Sequence, residues 1–165
     1  MQYTRRFLWL FLAVLTAAGC VSPPDYPDEP VILYEGVSKD SIYAQLTRIP
    51  DSIVFHLSFT DGDGDLSNED STDIFYVDSR FPTIIAPLAI PPFPQEGTGN
   101  GISGDIYFTL VNNEQVNCKY DGAFPVQDPA YPVDTFSLEI YILDRAGNRS
   151  NVVQTETIKI KCFGP

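Results

Sequence analysis

From residue 31 onward, short apolar runs alternate with residues that favour turns, and this pattern restricts the fold more than any other feature. In Ile53–Phe59, the odd-numbered positions are apolar on one face of an extended chain. Comparable runs occupy Val31–Val37, Ile74–Val77, Ile106–Val111, Phe136–Leu143 and Val152–Cys162. Because no stretch beyond the N-terminal segment has helical spacing, we predict an all-β domain.

The connections between these runs refine the predicted architecture. Six or seven short strands within residues 31–165 are typical of an immunoglobulin-like or fibronectin III-like β-sandwich of about seven strands. We expect Ile106–Val111 and Val116–Tyr120 to form a hairpin across two asparagines. Residues 81–101 contain five prolines and predict a long irregular connection. With 44% hydrophobic residues, the chain can fill one core.

The N-terminus has the three parts of an export signal. Arg5 and Arg6 precede the apolar stretch Phe7–Leu15, and small residues follow. The apolar stretch is too short to span a bilayer. Ala17-Ala18-Gly19-Cys20 resembles the lipobox of bacterial lipoproteins, although leucine is more usual where Ala17 stands. The alternative is an ordinary signal peptide beside an unrelated cysteine.

The lipobox resemblance implies a location for the domain. It implies that residues 1–19 are cleaved and that Cys20 is acylated, which anchors the protein to the outer membrane, on its periplasmic face or at the cell surface. Residues 20–30 carry four prolines and acidic residues without an apolar period. Such a segment is typical of a semi-rigid, extended tether. The expected mature protein therefore consists of an acylated Cys20, a tether up to residue 30, and a sandwich domain over residues 31–165.

Two cysteines remain after Cys20, namely Cys118 and Cys162. An oxidising envelope compartment favours a disulfide between them, which would stabilise the domain by roughly 3–4 kcal/mol on the chain-entropy model. Two separate buried thiols are the alternative. Zinc binding is not expected, because the chain has no CxxC pair and no histidine near either cysteine.

The sharpest chemical feature is the acidic loop that begins Asp61-Gly-Asp63-Gly-Asp65. Carboxylates alternating with glycines on a tight turn offer the hard oxygen ligands that calcium takes. An EF-hand is excluded, because Leu66 stands where that loop needs glycine and Thr72 stands where it needs glutamate. We predict a structural calcium site at one end of the sandwich, and a solvated acidic turn is the alternative.

A second motif supplies a fourth ligand. The segment that begins Asp144-Arg-Ala-Gly-Asn148 resembles the Asp-x-Ala-Gly-Asn turn of bacterial immunoglobulin-like modules. In an antibody-like strand order, this turn and the acidic loop lie at the same end of the domain. We therefore expect Asp144 to face Asp61, Asp63 and Asp65. Asp70 and Asp73 are reserve ligands.

The formal charge of −12 argues against nucleic acid as a partner, since the surface repels phosphate backbones. Nothing in the chain matches a catalytic constellation, and the lone His56 is expected to be a surface or packing residue on a strand. The expected function is therefore non-enzymatic. We expect a lipid-anchored accessory or binding component of an envelope assembly, with an envelope protein or glycan as partner.

The alternative function is a carbohydrate- or peptide-binding module. It would use aromatic residues in or beside the proline-rich loops to stack on a ligand: Tyr76, Phe81, Phe93, Phe124 and Tyr131. The lipobox and the two turn motifs together resemble those of small single-domain surface lipoproteins. That resemblance covers about a fifth of the chain, and it implies a cellular location but no particular activity.

Overall fold

A computed structural model describes residues 25–67, 73–90, 101–112, 116–118 and 128–164. The predicted signal peptide, Cys20, Asp70, Phe93 and Phe124 lie outside these ranges. The described residues form strands β1 Val31–Val37, β2 Ser41–Tyr43, β3 Ser52–Asp61, β4 Ile74–Asp78, β5 Ile85–Leu88, β6 Ile102–Val111, β7 Val133–Phe136, β8 Leu138–Ile142, β9 Val153–Gln154 and β10 Ile158–Lys161. The protein is all-β, and none of its described segments is a helix with the length and apolarity to cross a bilayer.

The first sheet has the order β1-β3-β6, with antiparallel pairing throughout. Its central strand β3 shows the predicted alternation, with Ile53, Phe55 and Leu57 fully buried and His56 on the outer face. Phe55 stacks on Phe108 of β6 with ring centroids 4.9 Å apart. Burying every second residue of a strand fixes which face of the sheet meets the core.

The remaining strands form two sheets, β2-β10-β7 and β5-β4-β8-β9. Only Ser137 separates β7 from β8, so the chain passes directly from one of these sheets to the other. Buried residues of all three sheets belong to a single hydrophobic core. In this core the ring centroids of Tyr76 in β4 and Phe108 in β6 are 6.5 Å apart. This arrangement is consistent with a β-sandwich, and its immunoglobulin-like identity stays a prediction.

Several predicted strands differ in detail. The expected strand Phe136–Leu143 is two strands, because β7 pairs with β10 whereas β8 pairs with β4 and β9. Val152–Cys162 likewise divides into β9 and β10. The predicted hairpin is wrong for residues 116–118, which form no strand, while residues 119–120 lie outside the described part. Within residues 81–101, the segment Ile85–Leu88 pairs with β4.

Candidate metal centre

The acidic loop begins where β3 reaches the end of the sandwich. Asp61 continues the inward alternation of β3, and its side chain is therefore 0% exposed. Gly64 has a φ of 72°, a left-handed conformation that glycine adopts without steric cost. Leu66 and Ser67 are buried again, so the loop folds back over the end of the core. The chain thereby places three aspartates on one tight turn.

The second loop follows β8 and fixes the fourth aspartate. Asp144 accepts hydrogen bonds from the backbone N–H of Asn148 at 2.7 Å and from its side-chain amide at 2.8 Å. The turn closes through Gly147, whose φ is 88°. The Asp-x-Ala-Gly-Asn pattern therefore holds its first carboxylate in a fixed orientation.

Arg145 and its neighbour hold the two loops together. The backbone N–H of Arg145 donates to the carbonyl of Asp65 at 3.2 Å, and that of Ala146 donates to the Asp65 carboxylate at 3.1 Å. The Arg145 guanidinium donates to the carbonyl of Ser67. These bonds confirm that the acidic loop and the 144–148 turn lie at the same end of the domain.

One carboxylate oxygen from each of Asp61, Asp63, Asp65 and Asp144 lies within 4.8 Å of the others. We call these four residues the aspartate centre. Oxygens bound to one calcium ion at 2.3–2.6 Å can be at most about 5 Å apart, so this spacing suits a single calcium. The four predicted ligands therefore converge at a spacing that one calcium ion can bridge.

Asp61 is the most informative member of the centre. Both of its carboxylate oxygens are buried and accept no hydrogen bond of good geometry, and one buried oxygen each of Asp63 and Asp65 is in the same condition. Burial, followed by repulsion from the neighbouring carboxylates, raises the pKa of Asp61 to about 6 from an ordinary 3.8. Burial and repulsion from Asp144 and Asp63 also raise the pKa of Asp65.

No basic side chain neutralises this cluster within the described part of the chain. The salt bridges found there join Lys39 to Asp51, His56 to Asp105, and Arg80 to two other aspartates. A buried carboxylate without a partner is costly, and proteins relieve it with a proton, a cationic side chain or a metal ion. At neutral pH the chemistry of the aspartate centre therefore favours a hard divalent cation.

Neither of the two reserve ligands, Asp70 and Asp73, is part of the described aspartate centre. Asp73 is buried at the start of β4, but it is not among the residues whose oxygens converge. Its backbone instead bonds to Leu88 and Leu143. The hydrogen bond from Arg145 to the Ser67 carbonyl could not be predicted from the sequence, because a guanidinium that binds a backbone carbonyl has no sequence motif.

The two remaining cysteines meet at the other predicted site. Cys118 and Cys162 form a buried disulfide across 44 residues of sequence.

His56 lies on the outer face of β3, where its ring stacks on that of Tyr107 with centroids 4.4 Å apart and its Nε2 lies 2.6 Å from a carboxylate oxygen of Asp105. This agrees with the surface position expected of it.

The loop aromatics do not gather into one platform in the described residues. Tyr76 is 5% exposed inside the core, whereas Tyr131 is 48% exposed at the surface. Phe81 lines an apolar cavity of about 370 Å³ between the sheets, together with Ile84 and Leu110. Its polar wall residues Asp78 and Arg80 bind each other, so the cavity offers few free groups for sugar hydroxyls.

Known proteins provide no further constraint: no family model matches the chain, and neither curated proteins nor solved structures yield a match.

Proposed function

We propose that this protein is a non-enzymatic, lipid-anchored envelope component whose domain binds one structural calcium ion at the aspartate centre. The observation that carries the calcium proposal is the Asp61 carboxylate, which is fully buried, accepts no hydrogen bond of good geometry, and has an oxygen within 4.8 Å of three further carboxylates. A second, independent support is that two loops distant in sequence are bonded to each other around that point.

Calcium fits better than the competing cations. Magnesium requires shorter bonds of about 2.1 Å and retains several waters, whereas calcium accepts more carboxylate ligands in a flexible geometry. Zinc prefers nitrogen and sulfur ligands, which this site lacks. Four carboxylates leave coordination positions for backbone carbonyls or water, as is usual for calcium.

Calcium binding should be visible as added stability. At several millimolar calcium and an affinity typical of extracellular modules, about 10⁻⁴–10⁻³ M, the gain is about 1–2 kcal/mol. We expect thermal unfolding to shift upward by several degrees, on the order of 5 °C, relative to the protein in chelator. Magnesium at the same concentration should give a much smaller shift.

Asp63→Asn tests the assignment, and Asp40→Asn is its matched control. Asp40 is an exposed aspartate on another loop, so it removes the same charge without touching the centre. The calcium-induced shift should disappear in the first variant and persist in the second. A wild-type protein that melts identically in calcium and in chelator would end the calcium proposal.

The anchoring proposal rests on the lipobox resemblance. Acyl chains contribute about 0.8 kcal/mol per buried CH₂, so a diacylated Cys20 holds the domain at a membrane without a transmembrane helix. Cys20→Ser should block acylation and cleavage before residue 20, so the processed protein should be missing from the outer-membrane fraction. Continued membrane fractionation with normal processing would contradict the anchor. An envelope protein or glycan remains the proposed partner, to be sought by affinity capture of the anchored protein.

A further inference from the structure

The segment that leads to the anchor lies directly against the aspartate centre. The backbone N–H of Gly62 donates to the carbonyl of Pro27 at 2.8 Å. Gly62 lies between two proposed ligands, Asp61 and Asp63, so this hydrogen bond joins the N-terminal segment to the acidic loop itself. Pro30 is buried at the entrance to β1 and forms a second, separate attachment of the same segment.

The contact at Gly62 is too close for any other residue. A Cβ atom at this position would lie 2.6 Å from the carbonyl oxygen of Pro27 and would also collide with the carbonyl of Tyr26. Real Cβ atoms do not approach backbone this closely. Gly62 is not among the described glycines with positive φ, so the chain needs glycine here for proximity and not for conformation.

We propose that the aspartate centre is a calcium-dependent lock for the N-terminal segment: calcium fixes the loop with the Gly62 amide facing Pro27, and calcium loss releases the segment back to Pro30. The lock rests on the calcium site proposed above. Without an ion, repulsion among the four carboxylates opposes the loop geometry that presents the Gly62 amide. With an ion, the same carboxylates hold that geometry in place.

The lock changes the reach of the tether. Attachment at Tyr26–Pro27 holds about four residues, 26–29, against the domain that would otherwise extend from Pro30 toward Cys20. A proline-rich chain spans about 3.1 Å per residue, so the reach that these residues add between the domain and the lipid decreases by roughly 12 Å when calcium binds. Calcium would therefore draw the domain closer to the lipid, and removal of calcium would allow it to extend.

Coupling between two events is reciprocal. If calcium strengthens docking of the segment, docking must strengthen calcium binding by the same factor. Gly62→Ala should abolish docking through its steric clash while keeping all four carboxylates. We expect this variant to bind calcium roughly fivefold more weakly, at the lower end of typical coupling factors.

The test uses the acylated protein in detergent micelles with a spin label at Asp25→Cys. Asp25 is exposed, and it adjoins the docked residues. We expect a slow, ordered spectrum in calcium and a fast one in chelator. In Gly62→Ala the label should move fast in both conditions. A label at Lys159→Cys, exposed on β10, is the control and should not respond.

Calcium titration of the same samples separates the two proposals. Calcium binding together with a label at residue 25 that is equally mobile with and without calcium would overturn the lock and leave the calcium site standing. A slow label in Gly62→Ala with calcium would also overturn the lock. Absence of calcium binding in the wild-type protein would remove both.

Discussion

Two groups of carboxylates on this domain differ in whether a basic side chain neutralises them. Asp78 and Asp134 surround the buried guanidinium of Arg80, and we call these three residues the arginine centre. The aspartate centre, by contrast, has no salt bridge to a basic residue within the described ranges. The first group carries its cation in the covalent chain and is permanent. The second has no such cation, and under the proposed function it depends on a calcium ion from solution.

The guanidinium of the arginine centre donates hydrogen bonds from all three of its nitrogens. Arg80 donates from Nε to Asp78 at 3.0 Å and from Nη1 to Asp134 at 3.0 Å and to the carbonyl of Asn117 at 2.7 Å. Its guanidinium also lies 5.3 Å from the ring centroid of Phe136. Burial alone lowers the pKa of Arg80, but the bonds to Asp78 and Asp134 raise it above its ordinary value. This centre ties β4, β7 and the segment that carries Cys118 together.

The largest expected effect comes from removing the permanent cation. Arg80→Met leaves Asp78 and Asp134 without their buried partner, which should destabilise the domain by about 3–5 kcal/mol. The loss should be the same in calcium and in chelator, as measured by denaturant unfolding. Arg149→Met is the control, because Arg149 is an exposed arginine over the Tyr141 ring and should cost less than about 1 kcal/mol. A calcium-dependent loss in Arg80→Met would break the comparison.

The second effect reverses sign with calcium. Asp61→Asn removes a buried charge that is repelled by its neighbours, so in chelator at pH 7 the variant should be at least as stable as the wild type. In calcium it should lack the gain of about 1–2 kcal/mol that we expect of the wild type. Paired thermal melts of both proteins measure this. A variant that loses stability equally under both conditions would show that Asp61 has only a packing role.

The third effect is a pH dependence set by the raised pKa of Asp61, about 6 against 3.8 when unfolded. Between these values the folded state holds more protons than the unfolded state, so the free energy of unfolding rises as pH falls. In chelator, Asp61 should make the protein more stable at pH 5 than at pH 7.5 by about 1 kcal/mol. In calcium this difference should shrink toward zero, because the ion occupies the carboxylate that the proton would otherwise bind. Denaturant unfolding at both pH values decides it.

The same contrast explains how far the sequence predicts the molecule. The aspartate centre was predictable because three of its carboxylates alternate within one loop and Asp144 belongs to a recognisable turn. The arginine centre was not, because Asp134 lies 54 residues from Arg80 and Asn117 lies 37 residues from it, with no motif at either position. Alternation likewise could not reveal the change of partners at Ser137, since Phe136 and Leu138 are both buried and continue one period.

The smallest effect concerns Gly64, and it tests whether the acidic loop keeps its conformation when no calcium is bound. Its φ of 72° costs a residue with a Cβ atom about 1 kcal/mol, but only in a state where the loop must adopt that conformation. If calcium imposes the conformation, Gly64→Ala should lose about 1 kcal/mol in calcium and almost nothing in chelator. Gly64→Asn should recover part of the loss, because asparagine tolerates the left-handed region. Denaturant unfolding of both variants under both conditions measures these differences. Equal losses in calcium and chelator would mean that the acidic loop keeps its shape without an ion, and that the aspartate centre is as permanent as the arginine centre.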